Sequence, residues 1–69
     1  MEVRVYKQVG DETYHTYKNL KYVGNNFNAK YIRIKFGRRN VCLTIRYDSF
    51  AYAEIIDNGK ITTIKGLLK

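Results

Sequence analysis

From Tyr31 to Tyr47 apolar and polar residues alternate almost one for one. Ile32, Ile34 and Phe36 interleave with Tyr31, Arg33 and Lys35, and Val41, Leu43, Ile45 and Tyr47 interleave with Cys42, Thr44 and Arg46. A strand points successive side chains to opposite faces, so the pattern predicts two half-buried strands. Gly37-Arg38-Arg39-Asn40 interrupts it with turn-forming residues at both ends. A four-residue loop there pairs Phe36 with Val41, Ile34 with Leu43 and Ile32 with Ile45. Every apolar side chain of the hairpin then lands on one face, whereas a slip of one residue would turn them all outward.

The flanking segments read as further short strands. Residues 2–9 place Val3, Val5 and Val9 on one face, and Gly10-Asp11-Glu12 supplies a turn into residues 13–17. A three-residue loop at that turn sets Tyr17 opposite Val5. Leu20-Lys21-Tyr22-Val23 continues the strand and Gly24-Asn25-Asn26 closes it, leaving Phe27 in a loop of residues 27–30 to plug one end of the core. Near the end of the sequence Asn58-Gly59 predicts a type I′ hairpin between residues 51–56 and 61–64. That turn pairs Ile56 with Ile61 on one face and Ala53 with Ile64 on the other. The competing assignment is one short helix near residues 49–57, capped by Asp48 or Ser49 and stopped at Gly59. Tyr52 and the adjacent Ile55 and Ile56 favour the strand.

These elements define an all-β class: a small antiparallel barrel, SH3-like or OB-like in strand count and size, or a strongly twisted sheet of five to six strands. Sixty-nine residues make one domain, residues 1–69, which buries only about 60 % of its unfolded surface. A flatter sheet that covers its second face in a homodimer is the alternative to closure. With one cysteine and one histidine the chain has neither an internal disulfide nor a four-ligand zinc site, and no run approaches a membrane span. The first residues carry no apolar run of a secretory signal, so the expected location is a reduced cytoplasm. Lys, Asn, Ile, Tyr and Phe supply 31 of the 69 residues, a usage that fits the AT-rich genome of a low-GC bacterium or of a phage or mobile element living in one.

Charge changes the picture most. Thirteen Lys and Arg against six Asp and Glu give +7, and the excess is concentrated. Residues 13–47 contain Lys18, Lys21, Lys30, Arg33, Lys35, Arg38, Arg39 and Arg46 and no acid at all. On the predicted hairpin Tyr31, Arg33 and Lys35 face solvent opposite Arg46, Thr44 and Cys42, with Arg38 and Arg39 at the tip. A twisted ribbon with cations along one face suits a phosphate backbone, because each neutralised phosphate releases counterions. Tyr31 beside them offers a stacking surface for an unpaired base, or a cross-strand cation–π partner for Arg46.

The expected function is a non-enzymatic nucleic-acid-binding module using Lys30, Tyr31, Arg33, Lys35, Arg38, Arg39 and Arg46, with no cofactor and no metal. Solvent-facing Lys and Arg also serve simply to keep strand edges soluble, but ordinary surfaces intersperse both signs. Two other readings use the same features. In one, a phage or mobile-element effector meets an acidic patch on a host or defence protein. In the other, an oligomeric structural protein assembles by edge pairing. A His15–Cys42 nucleophile pair has nothing in the sequence to bring it together. A small ribonuclease with His15 as acid or base and Arg38 or Arg39 on the phosphate rests on one histidine in a polar strand. Tyr17 and Tyr47 are expected in the core, and Tyr6, Tyr14, Tyr22, Tyr31 and Tyr52 at the surface.

Overall fold

A computed structural model describes residues 1–8, 10, 14–38 and 41–68. Its strands are β1 (Glu2–Tyr6), β2 (Tyr14–Tyr17), β3 (Leu20–Asn26), β4 (Tyr31–Phe36), β5 (Cys42–Arg46), β6 (Tyr52–Asp57) and β7 (Lys60–Lys65), with a 3-10 helix at Tyr47–Ser49. They form two antiparallel sheets, β2-β1-β6-β7 and β3-β4-β5. The chain is all-β, but it builds two twisted sheets instead of a closed barrel, and seven strands instead of five to six. The extra strand comes from Asn19, whose backbone is left-handed at φ 59°. It breaks what reads as one strand into β2 and β3, which pair in different sheets.

The hairpin registers follow the alternation. β4 and β5 pair Ile32 with Ile45, Ile34 with Leu43, Arg33 with Thr44 and Tyr31 with Arg46. β6 and β7 pair Ile56 with Ile61 and Ala53 with Ile64. Asn58 and Gly59 both have positive φ, 50° and 81°, as a type I′ turn requires. The helix alternative near residues 49–57 is thus replaced by a 3-10 turn followed by a strand.

Other expectations shift. Tyr17 lies opposite Val3, and Val5 faces His15; the slip is two residues, so Tyr17 keeps its inward face. β3 runs through Asn26, so Gly24-Asn25-Asn26 is strand and not turn. Val41 lies outside β5 and is exposed, beyond the reach of the core. Phe27 does not plug the core; it is 72 % exposed. Val9, Asp11, Glu12, Thr13 and Arg39 lie outside the described residues.

Each sheet contributes its apolar face to one core. Val3, Val5, Ala53 and Ile64 come from the four-stranded sheet, and Leu20, Ile32, Ile34 and Ile45 from the three-stranded one. Between them lies the corner that carries the chain from β5 to β6. Phe50 there is fully buried, and Tyr47 is buried with its phenol donating to the Asn25 side-chain oxygen on β3. The amides of Gly66, Leu67 and Leu68 donate to the carbonyls of Ala51, Tyr47 and Phe50 at 2.7, 2.8 and 3.0 Å. Gly66 is needed for that strap, because a Cβ there would stand 2.0 Å from the Phe50 carbonyl oxygen.

Phe50→Ala is expected to cost about 3–5 kcal/mol, the range for emptying a buried aromatic site. Phe27→Ala should cost less than about 0.5 kcal/mol, as an exposed substitution does. Urea unfolding of the two variants beside the parent chain measures the contrast.

Candidate nucleic-acid interface

Alternation sends every second side chain of β3, β4 and β5 outward. The registers assemble these into three rows: Tyr22–Lys35–Cys42, Gly24–Arg33–Thr44 and Asn26–Tyr31–Arg46. The strands of this sheet carry Lys21, Arg33, Lys35 and Arg46 and no carboxylate. The four-stranded sheet carries Arg4, Lys60 and Lys65 against Glu2, Glu54 and Asp57, three of each sign. Charge that is segregated along the chain is therefore segregated between the sheets.

The residues expected to form the site fall into two groups. Lys30, Tyr31, Arg33 and Arg46 cluster at the end of the hairpin nearest the 27–30 loop. Lys35 lies towards the other end, and Arg38 is exposed beyond the end of β4. The six residues of β4 set the groups apart by up to about 20 Å. Arg38 and Lys18 rim a separate depression of about 370 Å³ that Phe36 and Val41 also line. Tyr31 is half-buried, and the Arg33 guanidinium carbon stands 5.2 Å from its ring centroid. Arg33, on the same strand, takes the place expected of the cross-strand Arg46, which instead pairs with Asp48 at 3.2 Å.

Four residues that alternation and charge did not single out complete this surface: Tyr22, Gly24, Asn26 and Phe27. With Asn25, Asn28, Tyr31 and Arg33 they line an open groove of about 620 Å³. Tyr22 is 56 % exposed and its ring lies over Gly24, where an added Cβ would meet the phenol oxygen at 2.6 Å. Asn26 holds the next loop. Its side-chain oxygen accepts from the amides of Asn28 and Ala29 at 3.1 and 2.9 Å, and its amide nitrogen donates to the Tyr31 hydroxyl at 3.5 Å. Lys30 closes the loop in a left-handed conformation, φ 60°, its N–H on the Asn26 carbonyl and its own carbonyl accepting from Tyr47. The signal for Phe27 was its setting, Asn25-Asn26-Phe27-Asn28, which offers no apolar neighbour to bury against.

The opposite outer face is built differently. Tyr14, Tyr6 and Tyr52 stand in one row across β2, β1 and β6. Tyr6 stacks on Tyr52 with ring centroids 4.3 Å apart and meets Tyr14 at 5.0 Å. Contrary to the expected exposure it is buried, because its neighbours flank it on both sides, and Tyr52 is half-buried. A hydrogen bond to Glu54, helped by burial, holds the Tyr6 phenol above its ordinary pKa. Arg4 pairs with Glu2 at 2.6 Å and sits 5.1 Å over the Tyr14 ring. On this face Glu2 is thus taken up by Arg4, and Glu54 by the Tyr6 phenol.

His15 lies on β2 against Tyr17, with ring centroids 4.6 Å apart, while Cys42 is exposed on the other sheet. The two share neither a sheet nor a row. Among the described residues no three His, Cys, Asp or Glu side chains converge on a metal position, and no helix is long and apolar enough to cross a membrane. No protein-family model matches the chain, and neither a curated protein nor a solved structure shows significant similarity to it.

Two outcomes follow from these side chains. Neutral Tyr6 is favoured by folding, so its stabilising effect is complete below the ordinary phenol pKa of about 10 and is lost as pH rises through its higher folded value. Tyrosinate absorbance during alkaline titration should show a late-ionising phenol that Tyr6→Phe removes. Lys30→Gly exchanges a left-handed strain of about 1–2 kcal/mol for a smaller entropic cost of about 0.5–1 kcal/mol. Its thermal midpoint should therefore match or exceed that of the parent chain.

Proposed function

We propose that this chain is a non-enzymatic nucleic-acid-binding module that contacts phosphates with the outer face of β3-β4-β5. The observation that carries the reading is a whole sheet without a carboxylate in its strands, with Arg33 and Lys35 in adjacent outward positions on β4. On such a face no carboxylate of the sheet competes with phosphates for Arg33 and Lys35, whereas Arg46 is held by Asp48. Arg33, steadied over the Tyr31 ring, presents a planar fork suited to phosphate oxygens. Arg38, exposed beyond the end of β4, extends the basic surface. Phosphate contact gives affinity with little sequence preference. A cytoplasmic location accords with this role.

The same cations and exposed tyrosine also suit an acidic protein surface, the alternative in which the chain is a phage or mobile-element effector. Fluorescence anisotropy against single-stranded DNA, duplex DNA and single-stranded RNA, each titrated with salt, separates the readings. Binding should weaken linearly in log salt, with a slope of about 0.7–0.9 for each phosphate neutralised. Arg33→Glu with Lys35→Glu should weaken binding and flatten that slope by about 1.4–1.8. Unchanged affinity in the double variant would remove these residues from the site. No binding to any probe at low salt would turn the search to a protein partner.

A further inference from the structure

The groove over Gly24 differs from the rest of the basic face in having aromatic walls open to solvent. Tyr22 and Phe27, 56 % and 72 % exposed, both line it, and Arg33 and Tyr31 close the side nearest the cations. Neither exposed ring is an accident of a loose segment. Tyr22 is on a strand and lies flat because position 24 has no side chain to lift it. Phe27 begins a loop that Asn26 ties down with two hydrogen bonds to its amides. The groove's volume of about 620 Å³ is in the range of small-molecule sites, which run about 300–1,000 Å³.

We infer that this groove takes an unpaired nucleobase of a single-stranded nucleic acid, stacked on Tyr22 and Phe27, while Arg33 holds the adjoining phosphate. The inference rests on the nucleic-acid reading above and names the form of nucleic acid. An exposed aromatic wall needs a free π-face, and a base inside a duplex has both faces covered by its neighbours. The occupant must also be anionic overall, because the surrounding sheet offers only cations, and this excludes a second copy of the same positive face. Stacking accepts every base, so the groove discriminates strandedness more than sequence.

The test compares a labelled single-stranded oligothymidine with an abasic strand of equal length, which keeps every phosphate and lacks the bases. The parent chain should bind the base-bearing strand roughly tenfold or more tightly, the effect of a single stacked base. Tyr22→Ala with Phe27→Ala should abolish that difference, while leaving the abasic affinity, its salt slope and the thermal midpoint unchanged. Gly24→Val should act in the same direction by displacing the Tyr22 ring. Equal affinity of the parent chain for the two strands would overturn the groove assignment and leave phosphate binding standing. A base preference that survives in the double variant would overturn it too. Failure of both strands to bind at low salt would overturn the nucleic-acid reading itself.

Discussion

The crossing from the three-stranded to the four-stranded sheet, Tyr47 to Ala51, is where the two halves of this small core are held face to face. Each sheet has one apolar face, and neither can bury it alone. Phe50 fills the space at the corner, and the backbone around it is tied from several directions: Ala51 N–H to the Tyr6 carbonyl on β1, Tyr47 N–H to the Lys30 carbonyl, and the 66–68 strap onto the corner's own carbonyls. Tyr47 adds a tie to β3 through Asn25. In a chain that buries so little, stability is a thin surplus, and one corner that connects β1, β3 and the segment after β7 makes the two sheets a single cooperative unit.

That joining also decides where charge goes. The acid-free stretch contributes β3, β4 and β5 in succession, and hairpin connectivity keeps them in one sheet. The acids of the strands belong to β1 and β6, so they meet in the other sheet, where Glu2 pairs with Arg4 and Glu54 with the Tyr6 phenol. Exposed ion pairs contribute little to stability, so nothing in the fold requires this division. Repulsion among the cations of the basic sheet works against compactness, if anything. Two of its arginines are engaged, Arg33 over Tyr31 and Arg46 with Asp48, whereas Lys30 and Arg38 project from either end.

Wherever side chains alternate strictly, register was legible in the sequence: both late hairpins pair residue for residue as the pattern predicts, because a slip would expose Ile32, Ile34 and Ile45 together. Legibility failed where a residue's local preference was overruled by its tertiary partner. Asn25 and Asn26 resemble a turn, but a strand keeps them because Tyr47 supplies one with a buried partner and the following loop occupies the other. Tyr6 resembles a surface residue, yet two tyrosines from neighbouring strands enclose it. The candidate site shows the same division. Its cations could be placed by counting along β4 and β5, whereas its aromatic walls depend on a glycine that leaves room for a ring and on an asparagine that shapes a loop. Neither leaves a periodic trace.

The 27–30 loop is where local and global preferences disagree most. The chain has three phenylalanines and no tryptophan, and the core takes Phe50 fully and Phe36 in part. Burying the third would contribute about 1.5–3 kcal/mol, a large share of what a domain of this size has to spare. Instead Phe27 stands in solvent at the start of a loop closed by a lysine in a conformation that glycine or asparagine adopts at lower cost. Phe27 lines the groove that Arg33 also lines, Lys30 stands at the far end of the same short loop, and the loop is held by hydrogen bonds to Asn26 instead of relaxing. Sequences that specify their fold consistently elsewhere tend to yield at the positions where another requirement acts. The placement of Phe27 in a groove that also holds Tyr22 and Arg33 is an argument for the use of that groove that is independent of the charge count.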